Sequence, residues 1–431
     1  MLVEFKLKNA LSFKNEVVLS MVPAAITENE DNLLTEKKGL KLLKSAVIYG
    51  ANSSGKSNLF KALKFMRGFV INSSKDTQAG EPIPIEPFKL VASTEDEPSS
   101  FEIVFIQDDI LFRYGFSVNP KQVTAEWLFY KPNTREIELF NRENHTINIH
   151  PTLFKEGQGL NNKDSEKPRT RDNALFLSVV AQFDGELSKK VIAWFRNLRI
   201  ISGLNDNNYM DFSVERLKDS IPNREKTVAL LKSVGLNIDA LRVVSLPEDI
   251  KTAILEKMPP FIKKVTGTEQ LFVQKKKYND QGIENGSVIW SISQESEGTQ
   301  KLIGLSGPIF DTLENNRVLV IDEFDTRLHP LMTKALISLF HSSKANPDKA
   351  QFVFSTHDTN LLSGELFRRD QIWFTEKDPV DSTDLYSLVA YKLDDNQKVR
   401  KDADYKKNYI AGRYGAIPYI NIESLKRLLS H

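Results

Sequence analysis

Residues 50–57 read GANSSGKS, and their flanks decide how they fold. Upstream, LLKSAVIY (42–49) ends in a continuous apolar run that suits a strand buried on both faces. Downstream, Leu59, Ala62, Leu63 and Met66 recur at helical spacing. The order strand, glycine loop, helix is the context that the pattern G-x-x-x-x-G-K-[ST] requires. Such a loop is an anion cradle: glycines let successive backbone N–H groups point inward, and the helix N-terminus adds positive dipole. Lys56 is placed to reach the β and γ phosphates, and the Ser57 hydroxyl to ligate Mg2+. Gly50, Asn52, Ser53, Ser54, Gly55, Lys56, Ser57 and Asn58 are therefore the expected nucleotide-binding residues. The bland alternative is a Gly/Ser turn, and the flanking elements argue against it.

RVLVIDE (317–323) delivers two carboxylates at the end of an apolar strand, a pair that is costly to bury unpaired. In a P-loop enzyme the first, Asp322, holds magnesium through its water shell, and the second, Glu323, polarises the attacking water. The alternative is a strand ending in a solvated acidic turn. Ser355-Thr356-His357 closes another apolar strand, FVF, one helix and one strand later. That interval is the crossover unit of a parallel sheet. A neutral imidazole there can hydrogen-bond the γ phosphate or the attacking water. His357 thus joins Glu323 and Lys56 as a catalytic candidate, although a lone histidine is more often structural. His145, His150, His341 and His431 show no spacing that makes a metal site.

The chain has 431 residues, room for two or three domains or one large nucleotide-binding domain with an insertion. No apolar run approaches the roughly 18–20 residues that span a bilayer. The N-terminal MLVEFKLKNA alternates apolar with polar residues and lacks a signal-peptide centre, so no secretion is expected. There are no cysteines, which removes disulfides, thiolate zinc sites and cysteine nucleophiles. A cytoplasmic location fits. Lys and Arg number 58 against 57 Asp and Glu, a net charge of +1, without the overall signature of a nucleic-acid binder. The basic runs QKKK (274–277) and KVRKDADYKKNYIAGR (398–413) read as solvated faces or local patches.

Alternation over residues 3–8, with EVVLSM (16–21) as a partner, opens the chain with β structure. FEIVFIQDDILFRYGFSV (101–118) predicts two strands around Gln107-Asp108-Asp109, and VTAEWLFY (123–130) continues an antiparallel meander. Apolar spacing at i, i+3, i+4 predicts a mainly helical insertion over 151–265. Strands return at LFVQKKKYN and GSVIWSI, followed by a helix from Leu302 to Leu313. The expected organisation is an N-terminal nucleotide-binding lobe (1–150), the insertion (151–265) and a C-terminal lobe (266–431). The fold class is α/β, with mixed and antiparallel sheet beside a parallel core.

These motifs resemble the ABC-type ATPases grouped with SMC, RecF and overcoming-lysogenization-defect proteins, and within them the abortive-infection AbiLi type. KLKNALSFKNEV, GANSSGKSNL, SEGTQK, VLVIDEFDTRLHP, FSTHDTNLL and AGRYGAIPYI carry the resemblance. It implies an ABC-type P-loop head that hydrolyses ATP with Mg2+. It also gives SQESEGTQK (293–301) a role as the signature that opens a helix, with Ser296 and Gly298 binding the γ phosphate held by the opposite subunit. Glu297 departs from the glycine usual in transporters. Leu328-His329-Pro330 matches the D-loop, which makes His329 an interface candidate, whereas Gln107 matches no trusted Q-loop pattern. Arg413-Tyr414-Gly415 resembles a C-terminal element of AbiLi-like proteins and also reads as a structural lock.

A homodimer, or a larger assembly of dimers, with ATP between protomers is implied. AbiLi-like ATPases sit beside an RloB-type or other TOPRIM-like nuclease, so a separate effector and a phage-protein trigger are expected partners. No membrane partner is expected. The 74 residues after His357 are too few for a TOPRIM domain of its own. The competing reading is a RecF-like DNA-binding ATPase of repair or chromosome maintenance.

Overall fold

The N-terminal alternation is realised in β1 (Leu2–Lys8), with Val3, Phe5 and Leu7 buried, paired antiparallel to β2 (Val17–Ser20). The computed structural model describes residues 1–431 except 37–38, 77, 161–168, 206, 246–268, 348, 394–396 and 419–431. Residues 246–265 of the expected insertion, and His431, lie outside the described residues. The chain divides into two units, Met1–Leu198 with Gln351–His431, and Arg199–Ala350.

In the first unit a short hairpin, β3 (Leu33–Thr35) and β4 (Lys41–Leu43), precedes β5 (Ser45–Gly50). Every residue of β5 is buried, as its apolar run requires. The glycine loop then leads into α1 (Lys56–Asn72). After a single turn, α2 (Ala92–Glu95), comes the meander β6 (Ser99–Gln107), β7 (Ile110–Val118), β8 (Val123–Lys131), β9 (Ile137–Glu143) and β10 (Thr146–Ile149). Asp108 and Asp109, at φ +52° and +60°, form the two-residue turn that matches strand twist. These strands and the first two make one antiparallel sheet, ordered β10-β9-β8-β7-β6-β1-β2.

Aromatic side chains bind helices to that sheet. Phe65 and Phe69 of α1 lie against Phe101 and Phe116. Two further helices follow, α3 (Phe176–Gln182) and α4 (Glu186–Asn197), and Trp194 of α4 stacks on Phe105 at 4.4 Å between ring centroids. The start of α3 is held by fully buried Glu126, whose carboxylate accepts from the Phe176 and Leu177 amides at 2.6 and 3.0 Å. Tyr114 donates its hydroxyl to the same group at 2.9 Å, and the Arg142 guanidinium lies 3.9 Å away.

The second unit begins with β11 (Arg199–Ser202), α5 (Asn207–Lys218) and α6 (Ile221–Ser233). An antiparallel sheet follows, β12 (Ala240–Ser245), β13 (Glu269–Tyr278) and β14 (Glu284–Ser291). Next come α7 (Glu297–Glu314), β15 (Val318–Asp322) and α8 (Pro330–His341). β11 runs parallel to β15, with Ser202 opposite Asp322. Asp311 fixes the far end of α7: Arg199, Arg216 and Arg317 converge on its carboxylate.

The chain returns to the first unit through β16 (Gln351–Ser355), β17 (Ile372–Lys377), β18 (Thr383–Ser387) and α9 (Tyr405–Ile410). There β16, β5 and β17 lie parallel, and β18 closes antiparallel on β17. Gln351 accepts from the Leu2 amide at 2.6 Å and donates to the Leu2 and Leu43 carbonyls at 3.0 Å each, tying β16 to β1 of the antiparallel sheet and to the β3–β4 hairpin. The result is a mixed α/β architecture, with antiparallel and parallel sheets as expected.

Candidate functional site

The glycine loop is shaped by backbone that glycine accepts readily and in which Ser53 is held by its surroundings. Gly50, Ser53 and Gly55 have φ of +158°, +63° and +109°, where a Cβ is disfavoured. A Cβ on Gly50 would stand 2.6 Å from the Thr375 carbonyl, and one on Gly55 would enter the Thr383 side chain. Behind the loop, Ser54 Oγ and Thr375 Oγ1 share a hydrogen bond of 2.6 Å, and Thr383 Oγ1 donates to the Ser54 carbonyl at 2.9 Å. Lys56 is buried, and its Nζ donates to the Gly50 and Ala51 carbonyls at 2.8 and 2.9 Å. The lysine head thus lies inside the loop. Asn52 and Ser53 are exposed, and Ser57 and Asn58 half-buried.

His357 leaves the sheet beside the strand that feeds this loop. Ser355 pairs with Ile48, the Thr356 amide donates to the Ile48 carbonyl at 3.2 Å, and Tyr49 donates its hydroxyl to the Asp358 carbonyl at 3.2 Å. His357 itself is exposed. Tyr49 is backed by the C-terminal aromatic group: Tyr409 lies 5.9 Å from it, and Phe374 packs on Tyr409 and Tyr414. Tyr386 donates to the Tyr414 carbonyl and Tyr409 to that of Ala416. Burial pushes the Tyr409 phenol up to about 12 and that of Tyr386 well above its ordinary value, so both remain donors. Tyr414 is fully buried while Arg413 is exposed, so AGRYGAIP works as a lock on the strand before the loop.

The second unit carries the acid pair and the signature. β15 ends at Asp322, and Glu323 takes φ +54°. The Gly203 amide donates to the Asp322 carbonyl at 2.6 Å, and a Cβ on Gly203 would collide with the Glu323 carbonyl. Ser296 is the N-cap of α7, with Oγ accepting from the Thr299 amide at 3.2 Å. A Cβ on Gly298 would sit 2.7 Å from the Arg327 carbonyl, so the signature glycine is where α7 approaches the D-loop backbone. The Glu297 side chain is 76% exposed with its carboxylate 4.0 Å from Arg327 Nε. His329 is exposed and caps α8, Nδ1 accepting from the Leu331 amide at 3.2 Å.

The structure thus brings the loop residues together with His357 in one unit, and Asp322 and Glu323 together with Ser296 and Gly298 in the other. Sequence reasoning missed Thr375, Thr383, Gly203 and Lys301. The available signal was a lysine at the head of the wholly apolar run after SEGTQ. No group of three His, Asp or Glu residues that could cage a metal occurs among the described residues. Ser57 in the first unit and Asp322 in the second each offer a hard oxygen of the kind magnesium takes alongside nucleotide phosphates.

A phosphate-cradling loop on a buried parallel strand, in a chain with an Asp-Glu strand end and a serine-capped helix, defines a P-loop ATPase of the AAA group. Residues 45–363, more than half of the chain, match the family described as "AAA domain, putative AbiEii toxin, Type IV TA system", and the chain belongs to that family. No curated protein matches it. Among solved structures it is similar to the SMC head domain from Thermotoga maritima, at 14% identity over 90% of this chain and 98% of that one, TM-score 0.39. It is also similar to an Smc head domain with an extended coiled coil bound to the C-terminal domain of ScpA derived from Pyrococcus furiosus, at 13% identity over 90% and 96% of the two chains, TM-score 0.39.

Proposed function

We propose that the chain hydrolyses ATP as a homodimer and that this turnover regulates a separate effector nuclease in antiphage defence. The observation that carries the ATPase part is the loop at 50–57, with left-handed backbone at Ser53, glycines that admit no Cβ, and Lys56 held inside it. The ordered motifs assign Lys56, Ser57, Asp322, Glu323 and His357 to one nucleotide, and Ser296 with Gly298 to the nucleotide of the opposite protomer. Glu323 orients the water for in-line attack, Lys56 and the loop amides take up charge on the γ phosphate, and His357 hydrogen-bonds it. Ser57 and Asp322 would hold magnesium, which when bound neutralises charge on the β and γ phosphates. Loss of the γ phosphate removes the bridge to Ser296 and loosens the dimer.

The family description as a Type IV TA system is compatible with a two-component arrangement. Among the described residues no helix is long and apolar enough to cross a membrane, and a cytoplasmic location belongs to the same proposal. The DNA-binding alternative draws little from the basic runs. Lys275 pairs with Glu295 at 2.8 Å, Lys276 with Glu284 at 2.5 Å, and Arg400 with Asp402 at 2.8 Å. Two measurements test the reading. Lys56→Ala abolishes binding of ATP, and parent-like affinity in that variant refutes the loop assignment. Co-purification retains the neighbouring gene product, whereas steeply salt-dependent DNA binding with no partner retained sinks the defence role.

A further inference from the structure

Lys301 is fully buried, beside Leu302, Ile303 and Leu305, which are buried as completely. An ammonium group withdrawn from water is costly unless its donors are used. Its Nζ donates to the Gly203 carbonyl at 3.0 Å and to the Thr326 carbonyl at 2.6 Å. Both acceptors belong to backbone that frames the acid pair. Gly203 donates its own amide to the Asp322 carbonyl and leaves no room for a side chain against Glu323, while the Thr326 amide donates to the Glu323 carbonyl at 3.4 Å. Glu323 holds φ +54°, a conformation that persists in a non-glycine residue only where its surroundings enforce it.

We propose that Lys301 and Gly203 are positioning residues that fasten the first turns of α7, which carry Ser296 and Gly298, to the turn presenting Glu323. Lys301 is a strut between the two. Contact of the signature with a partner's nucleotide then sets the acid's backbone in the same protomer, so each ATP reports on the other through one buried amine. The inference rests on the ATPase reading of Glu323 and adds to it a route between paired sites. Methionine at 301 keeps the apolar stem but leaves two carbonyls without their donor; arginine keeps a charged donor. A Cβ at 203 displaces the Glu323 carbonyl directly.

The test uses full-length Lys301→Met, Lys301→Arg, Gly203→Ala and Lys301→Met/Gly203→Ala proteins. Steady-state ATPase rates are measured together with titration of a slowly hydrolysed ATP analogue and a thermal melt. Lys301→Met and Gly203→Ala each lower kcat about tenfold or more, with analogue affinity within about threefold of the parent. The double variant loses little beyond either single one, because both act on the same backbone, and Lys301→Arg recovers part of the rate. Parent-like kcat in both single variants overturns the inference, as does a fall in kcat that tracks a fall in melting temperature and analogue affinity. A parent protein that binds the analogue but never turns over ATP removes the ATPase reading, and the inference with it. That pattern is distinct from an active parent with indifferent variants.

Discussion

Glu323, Ser53 and Arg327 hold φ of +54°, +63° and +64°, and all three fall in stretches to which the motifs assign chemistry. Left-handed backbone costs a non-glycine residue on the order of 1 kcal/mol or more, so each position is enforced by its neighbours. For Glu323 the enforcement comes from Gly203 and the end of β15, and it turns the carboxylate's backbone out of the strand direction. Glu323→Gln preserves that backbone and the side-chain shape while removing the charge proposed to polarise water. Turnover is expected to fall about 100-fold or more, the range of a lost general base, while ATP affinity stays within about threefold. A rate within tenfold of the parent, in single-turnover assays, assigns water activation to another group.

The elements around these residues are fixed by buried polar contacts, and their failure modes differ. In α7, Ser296→Arg removes an N-cap worth about 1 kcal/mol, too little to unfold an 18-residue helix so thoroughly buried. Nucleotide binding should therefore survive, and a loss of ATP-dependent dimerisation and hydrolysis would report the guanidinium's bulk where a partner's phosphate belongs. Undiminished turnover returns the stretch to a simple linker. In α3 the anchor is Glu126, and Glu126→Ala leaves Arg142 buried without its carboxylate and two helix-start amides without an acceptor. Breaking such a pair costs about 3 kcal/mol. Hydrogen exchange of the α3 amides should accelerate roughly 100-fold while the glycine loop's exchange is unchanged. Unaltered α3 protection would show that the aromatic packing alone holds the helix.

For the molecule as a whole, what was legible in the sequence is the local structure whose determinants are neighbours in sequence. GANSSGKS, the VLVIDE strand end, STH and the signature each place several demanding residue types within a few positions, and Asp108-Asp109 marks its own turn. Gly203 was not legible, because it acts on the distant Glu323 backbone, and the lysine heading the run after SEGTQ does not reveal its acceptors, 98 and 25 positions away. Thr375 and Thr383 likewise brace Ser54 from 321 and 329 positions along the chain. Short apolar strands such as β17 escaped for a different reason, since periodicity cannot separate IWF from a helix turn. Charge is the global property that bears on assembly. Two chains of net charge +1, with Lys275 and Lys276 of QKKK already paired to acids, feel little long-range repulsion or attraction. Dimer closure should then depend on nucleotide and magnesium far more than on salt. In Glu323→Gln protein, light scattering should show the mass double on adding ATP with Mg2+, stay doubled as NaCl rises several-fold above the roughly 0.15 M at which screening is already short-ranged, and return to monomer with EDTA. A dimer that forms without nucleotide and dissolves with salt would mean that surface charge, and not the phosphate between Ser296 and the opposite loop, holds the pair together.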